Sequence, residues 1–285
     1  MTTSSLARPH FSASSIWIAS AFSDLGELLS GTACPSFAGA VIPWIVALSM
    51  HGSSDNVAAY EANCRRLLSR YGTDRALEDA LGFIGQASSI SSLIDRTGQL
   101  EQEKCRLRNG FARVLTSNRY SQDYLPPDAG RARAASKEIF RLREDSASRD
   151  GGRAALALAT YISMLTVHPL IDGNGRTARA LFVADATTIG AGVSSFALAA
   201  ILLRTSRSAE FHMSAKCARA GDFCMLAECF RSALDSIAFS VHPILRELAA
   251  VPVANFESQF ALATELHGML CGHAAQGVGS SGTFA

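Results

Sequence analysis

Lysine is nearly missing from this chain. Of its 26 basic residues only Lys104, Lys137 and Lys216 are lysines, and the other 23 are arginines. Alanine is abundant as well, so the bias reads as coding composition before it reads as chemistry. An excess of one charge is also missing, since 26 basic residues face 25 acidic ones and the formal net charge is +1. That balance excludes a general nucleic-acid binder, whose affinity comes mostly from neutralising phosphates. No CxxC pair occurs among the seven cysteines, Cys34, Cys64, Cys105, Cys217, Cys224, Cys229 and Cys271. A structural zinc site and a thioredoxin-type motif are therefore set aside, and reduced cytosolic thiols are the simplest account. The nearest thing to a metal cluster, His267 with Cys271 and His273, lies against a Gly/Ser tail and reads as a chance grouping. An unbroken membrane-length apolar run is absent too. Residues 32–50 carry no charge, but Pro35 and Pro43 interrupt them and the apolar part falls short of the roughly 20 residues a bilayer needs. They read as a buried helix pair. Residues 1–22 are rich in Ser and Thr with only Arg8 and His10 basic. Ala19-Ser20-Ala21 has the shape of a signal-peptide cleavage site, but the apolar core before it is too short to favour one.

What the chain does have is 285 residues at 48% hydrophobic and 8% aromatic, enough for a substantial core and outside the composition of disorder. It shows no internal repeat and no heptad series, and its tail from about residue 276 reads as disordered. Residues 56–71 place Val57, Tyr60, Cys64, Leu67 and Leu68 on one helical stripe. Residues 76–95 show a similar pattern through Leu77, Leu81, Ile84, Ile90, Leu93 and Ile94. Residues 153–167 are apolar nearly all round, which predicts a helix central to the core. It must stop near His168, because Pro169 cannot continue the hydrogen-bond ladder. A further helix is predicted from Gly175 to about Gly190, and another after Asp222, with Phe223, Leu226, Phe230, Leu234 and Ile237 inward. Between Gly110 and Pro127 alternating residues flank Ser117-Asn118, which predicts a two-stranded hairpin. The fold class is all-α with one small β-hairpin.

Chemistry concentrates in His168-Pro169-Leu170-Ile171-Asp172-Gly173-Asn174-Gly175-Arg176-Thr177-Ala178-Arg179. Two glycines bracket Asn174 directly before a helix, so main-chain N–H groups can approach an anion that the helix dipole favours. Arg176 and Arg179, three residues apart, share a helix face and carry forks suited to phosphate oxygens. Two cations at a helix N-terminus oppose its dipole unless an anion compensates. Asp172 is a hard oxygen ligand of the kind Mg²⁺ uses beside a polyphosphate. His168 can take a proton near pH 7. The set outlines nucleotide phosphate chemistry, without the GxxxxGK[ST] of a Walker A loop or the third glycine of a dinucleotide fingerprint.

HPLIDGNGRTAR resembles the Fic-domain signature HPFx[D/E]GNGRxxR and departs from it at Leu170, where the family has Phe. Gly110-Phe111-Ala112-Arg113 through Tyr124-Leu125-Pro126-Pro127 is similar to the family's flap hairpin and the Tyr-Val-Pro-Pro after it. Residues 209–235, with Ala218-Arg219-Ala220-Gly221-Asp222, resemble the end of the Fic core. The resemblance implies a Fic-type helical bundle with a small β-hairpin flap over 55–240. An N-terminal helical extension (1–54), a C-terminal one (241–275) and a disordered tail (276–285) would flank it.

The resemblance further implies a protein adenylyltransferase that moves AMP from ATP to a Ser, Thr or Tyr hydroxyl of a target protein. His168 would be the general base. Asp172 would hold Mg²⁺ between the α- and β-phosphates. Gly173, Asn174 and Gly175 would cradle phosphates, with Asn174 and Arg176 stabilising charge as pyrophosphate leaves, and Arg179 would reach the γ-phosphate. The flap, 111–127, would clamp the target by adding a strand to its edge. Tyr124 would either line the adenine pocket or anchor the flap. Many Fic proteins carry an inhibitory [S/T]xxxE[G/N] helix. Ser23 to Glu27 comes nearest, with Leu28 in the last place; Thr97 to Glu101 and Ser91 to Asp95 are weaker matches. A separate antitoxin chain, or no inhibition at all, are the alternatives. Arg131, Arg133, Arg141, Arg143, Arg149 and Arg153 read mainly as a solvated face rather than a guide for an acidic partner. Three rivals stay open: a Fic-type transferase using another nucleotide such as UTP or acting as a phosphotransferase like the Doc toxins, a binding module with a vestigial site, and an effector delivered into a host cell instead of a cytoplasmic enzyme. The Doc toxins carry a bulky residue where this chain has Gly175, which points away from that reading. Neither nucleic acid nor membrane is an expected partner.

Overall fold

The computed structural model describes residues 14–29, 74–101, 106–114, 125–146, 153–188, 194–252 and 255–272, with isolated positions at 41, 44, 45 and between 58 and 70. Helix makes up 81% of what is described, and no sheet forms there. The elements are α1 (Ser14–Leu29), α2 (Asp74–Gly85), α3 (Ile90–Glu101), α4 (Ala129–Ser146), α5 (Arg153–Val167), α6 (Asn174–Thr188), α7 (Ser194–Arg204), α8 (Ser208–Arg219), α9 (Cys224–Ser236), α10 (His242–Ala250) and α11 (Phe256–Cys271). Between α9 and α10 the chain widens into one π-helical turn, Ile237–Val241, so the helical path crosses residue 240 without a break.

The core is built around α5 and α6, which pack on each other. From Ala155 to Val167 every residue of α5 except Leu165 is buried, as its apolar composition requires. Helices α1 and α4 lie against α5, while α2, α3 and α7 cover α6. Tyr161 of α5 meets Phe182 of α6 and Phe211 of α8, at ring-centroid distances of 5.2 and 6.3 Å. Helices α8 and α9 form an antiparallel-type neighbour pair through a Gly221 turn at φ 98°. Asp222 Oδ1 accepts the Cys224 N–H there, and Phe223, Leu226, Phe230, Leu234 and Ile237 are all buried. Trp44, in the apolar run 32–50, is buried with Val41 and Ile45 and faces Phe256 and Phe260 of α11; the rest of the expected helix pair lies outside the described residues.

Two expectations change, and a third falls mostly outside the described residues. The helical pattern over 76–95 is two helices, because the Ser89 hydroxyl accepts the Ser92 N–H and starts α3 afresh. Of the expected hairpin over 110–127 the structure shows little: Val114 is in a β-bridge, 125–127 are not strand, and 115–124 lie outside the described residues. An antiparallel bridge joins Leu107 and Leu170. Finally, the Arg-rich segment is not one solvated face. Arg131 pairs with Asp128, and Arg141 with Glu138 and Asp145, at the surface. Arg143 turns inward to Asp185 of α6 and to the carbonyls of Gly85 and Ala87.

Candidate active site

The motif residues form a tight loop from the end of α5 to the start of α6. Helix α5 ends as Pro169 requires, and His168 terminates it with φ 50°, the left-handed conformation that a helix C-terminus usually gives to glycine. The His168 N–H still reaches the Met164 carbonyl at 3.0 Å. For a residue with a Cβ this backbone costs about 1–2 kcal/mol, so surrounding contacts must impose it. The next residues are held by the 106–108 segment: the Arg108 N–H donates to the Pro169 carbonyl and the Ile171 N–H to the Arg106 carbonyl, each at 3.0 Å.

Asn174 is buried and closes the loop on itself. Its Oδ1 accepts the Leu170 N–H at 2.8 Å and its Nδ2 donates to the Leu170 carbonyl at 2.9 Å. Both ends of the amide are thereby engaged by the loop backbone, so Asn174 organises the loop, while its main-chain N–H and the second Nδ2 hydrogen are donors an anion could use. Gly173 takes φ 79°, where a side chain would be strained, and its N–H donates to Asp172 Oδ1 at 2.6 Å. Its carbonyl accepts the Thr177 N–H at 2.8 Å and so begins the helix ladder. The N–H groups of Asn174, Gly175 and Arg176 then fall in the first turn of α6, where an α-helix supplies no acceptor of its own.

Asp172 projects outward with 93% of its side chain exposed, and Arg176 Nη2 stands 3.6 Å from its Oδ2. Arg179 is only 3% exposed. A Cβ added to Gly175 would meet Arg179 Nη1 at 3.1 Å, so the missing side chain is what lets that guanidinium lie beneath the loop. His168 is half-buried. Burial holds its ring below the ordinary histidine pKa, a hydrogen bond with the Leu165 backbone acts the other way, Arg108 reinforces the lowering and Asp172 opposes it. The ring is thus neutral at pH 7 and able to accept a proton. The geometry brings together a neutral histidine, an outward carboxylate, a helix N-terminus and two arginines.

Residues 92–184, which run from α3 to within α6, match the family model described as Fic/DOC family. The chain also resembles the crystal structure of a Fic family protein from Desulfovibrio desulfuricans G20, with a TM-score of 0.53 and 13% identity over 81% of this chain and 75% of that one. At that identity the likeness speaks for the fold. This segment is a Fic domain. No curated protein matches the chain.

Around the Fic loop the other candidates are placed as follows. Ser23 and Glu27 sit on the exposed side of α1, while Ala21, Leu25 and Leu29 between them face inward onto the core. Of the weaker inhibitory matches, Thr97 is buried in α3 and Ser91 and Asp95 are exposed on it. Tyr124 and His273 lie outside the described residues, and His267 has Cys271 Sγ 3.6 Å from its Nε2. No cluster of three or more His, Cys, Asp or Glu that could hold a metal ion occurs among the described residues. Asp172 alone still fits Mg²⁺, which keeps several waters and is held by one or two carboxylates plus phosphate oxygens. No described helix is long and apolar enough to cross a membrane. Sequence reasoning missed Arg108 altogether. Buried beneath His168, it looks in the sequence like any other of the 23 arginines.

Proposed function

We propose that the chain is a protein adenylyltransferase, transferring AMP from ATP to a hydroxyl side chain of a target protein. The Fic domain supports a Fic-type transferase in general, and the site supports the finer reading. The observation that carries it is the half-buried His168, held by its left-handed backbone four residues before Asp172 and six before the start of α6. A base kept uncharged at pH 7 accepts the proton as the target oxygen attacks the α-phosphorus, and pyrophosphate leaves in line. Arg176, partly exposed at that helix start, meets the charge developing on the departing phosphates. Arg179, reaching them from below the loop, fixes which phosphorus faces the oxygen. The first-turn N–H groups of α6 complete the anion cradle, a stabilisation that is built before the substrate arrives. Asp172 would hold Mg²⁺, which when bound supplies charge neutralisation across the α- and β-phosphates. The target segment would be presented along the 111–127 region, where Phe111 is exposed, with Ile171 of the motif loop also exposed. The absence of a side chain at Gly175, where a Cβ would meet Arg179 Nη1 at 3.1 Å, favours this nucleotide orientation over the reversed one of a phosphotransferase.

The test is transfer of label from ATP marked at the α- or the γ-phosphate, with Mg²⁺ and a mixture of candidate target proteins, beside a His168→Ala control. Label from the α position only, lost in the control, is expected. Label from the γ position would identify phosphotransfer, and α-label from UTP or CTP alone would replace the base. The absence of label with every nucleoside triphosphate would remove the enzymatic reading.

A further inference from the structure

Arg108 stands outside the motif, in the stretch leading to residues 110–127, yet it is 4% exposed. Its Nε donates to the His168 carbonyl at 2.7 Å, and its Nη1 to the Gly110 carbonyl at 3.0 Å. Its Nη2 donates to the Val167 carbonyl at 3.3 Å and to the Pro127 carbonyl. The main chain is pinned as well: its N–H donates to the Pro169 carbonyl at 3.0 Å, and its carbonyl accepts from Arg133 Nη2 at 3.4 Å. The four side-chain acceptors fall in three places. Val167 and His168 are the carboxyl end of α5, whose last carbonyls have no acceptor role inside the helix and carry its negative pole. Gly110 and Pro127 are the two ends of the segment read as the target-binding flap.

We propose that Arg108 is a positioning residue for the transfer reaction, holding His168 in its left-handed backbone and fastening both ends of 110–127 to the same cation. The inference rests on the adenylyltransferase reading above. Its physical basis is the direction of one oxygen. In a left-handed residue the carbonyl points differently, relative to the Cβ, than in the extended backbone that a residue before proline ordinarily prefers. By holding the His168 oxygen, Arg108 Nε selects the first arrangement and with it the direction of the imidazole. Because the same guanidinium holds Gly110 and Pro127, the base and the segment that presents the hydroxyl keep one register. A lysine at 108 has the charge without the planar fork and cannot hold three places at once.

The experiment compares wild type with Arg108→Lys and Arg108→Gln. Long-range ¹H–¹⁵N spectra of ring-labelled histidine are recorded without nucleotide, the His168 signals being assigned by their loss in His168→Ala. In Arg108→Lys these signals should move from a single tautomer to a mixture, with the other six histidines unchanged. With labelled ATP, kcat should fall by about 10²-fold, as for a reacting group misplaced by about 1 Å, while the nucleotide KM stays within about twofold. Arg143→Lys, which disturbs another buried arginine, is the control for lost stability and should leave the kcat of the folded protein unchanged. Unaltered His168 signals in either folded variant, or an unaltered kcat, would overturn the proposal. If neither variant folds, the wild type decides: the Arg108 Nε–H must be protected from hydrogen exchange, and rapid exchange there overturns the proposal. Should wild type transfer no label, the adenylyltransferase reading falls while the histidine spectra still report whether Arg108 orients His168.

Discussion

Replacing Arg143 by methionine removes a cation from the middle of the bundle and leaves a carboxylate behind. Arg143 donates from Nε to both oxygens of Asp185, at 3.2 and 3.1 Å, and from Nη2 to Oδ1. It also donates to the Ala87 carbonyl at 2.9 Å and to the Gly85 carbonyl, which closes the turn between α2 and α3. The pair is nearly out of water, with side chains 13% and 5% exposed. Burial pushes the Asp185 carboxyl above its ordinary value, and the charge and hydrogen bonds of Arg143 oppose that rise. Arg143→Met is therefore expected to cost about 3–5 kcal/mol, the usual consequence of stranding one member of a buried pair. Asp185→Asn keeps a side-chain acceptor and leaves Arg143 its two carbonyls, so about 1–3 kcal/mol is expected. The double variant Arg143→Met/Asp185→Leu should cost less than the sum of the two single changes, because no charge is stranded. Urea unfolding reads each as a shift of midpoint at constant slope. A pH series adds a sign. A carboxyl whose folded pKa lies above its unfolded one contributes most below the unfolded value and loses that contribution as pH rises through the folded one. Arg143→Met should thus lose stability as pH rises above the ordinary carboxyl value, more steeply than wild type. The reasoning is refuted if Arg143→Met costs under about 1 kcal/mol, or if Asp185→Asn costs more than Arg143→Met.

At the loop, Asn174→Ala strips both hydrogen bonds from the Leu170 backbone and should lower stability by about 1–3 kcal/mol, read as a fall in urea midpoint. Gly173→Ala forces a Cβ into the left-handed region and should cost about 1–2 kcal/mol by thermal unfolding. Asp172→Ala, on an exposed side chain, should stay within about 0.5 kcal/mol of wild type in stability while abolishing Mg²⁺-dependent transfer; a large loss of stability would contradict its exposed position. The acid limb of kcat/KM should lie below the ordinary histidine value, because burial lowers His168. The same shift makes His168 a group whose contribution is complete above the unfolded pKa and declines as pH falls toward the folded one, to be checked by histidine titration against His168→Ala.

The central helix of the Fic domain was legible because every one of its faces is apolar and a proline marks its end; residues 153–167 gave the limits of α5 directly. The loop after it was legible as chemistry, since glycines, a carboxylate and two arginines at that spacing have few other uses. Its internal roles were not. Beside the phosphate role read for it, Asn174 closes its amide on Leu170, a contact four residues back that no pattern of types reveals. The break between α2 and α3 depends on one serine hydroxyl, a short-range signal that the apolar periodicity running across it obscures. Arg108 and Arg143 escaped for the same reason as each other. Their partners include main-chain carbonyls 56 to 60 residues away and an aspartate 42 away, and in a chain where arginine is the standard cation, residue type says nothing about burial.

The left-handed backbone of His168 sets the active protein against its own stability. Glycine would take that position without strain, and asparagine with little, so the residue proposed for proton transfer is less comfortable there than either. Selection for activity is then what keeps histidine in place. Were the proposed activity to cease to matter, glycine or asparagine at 168 would meet no folding penalty, and loss of function would be the easy direction of drift while the surrounding bundle persists.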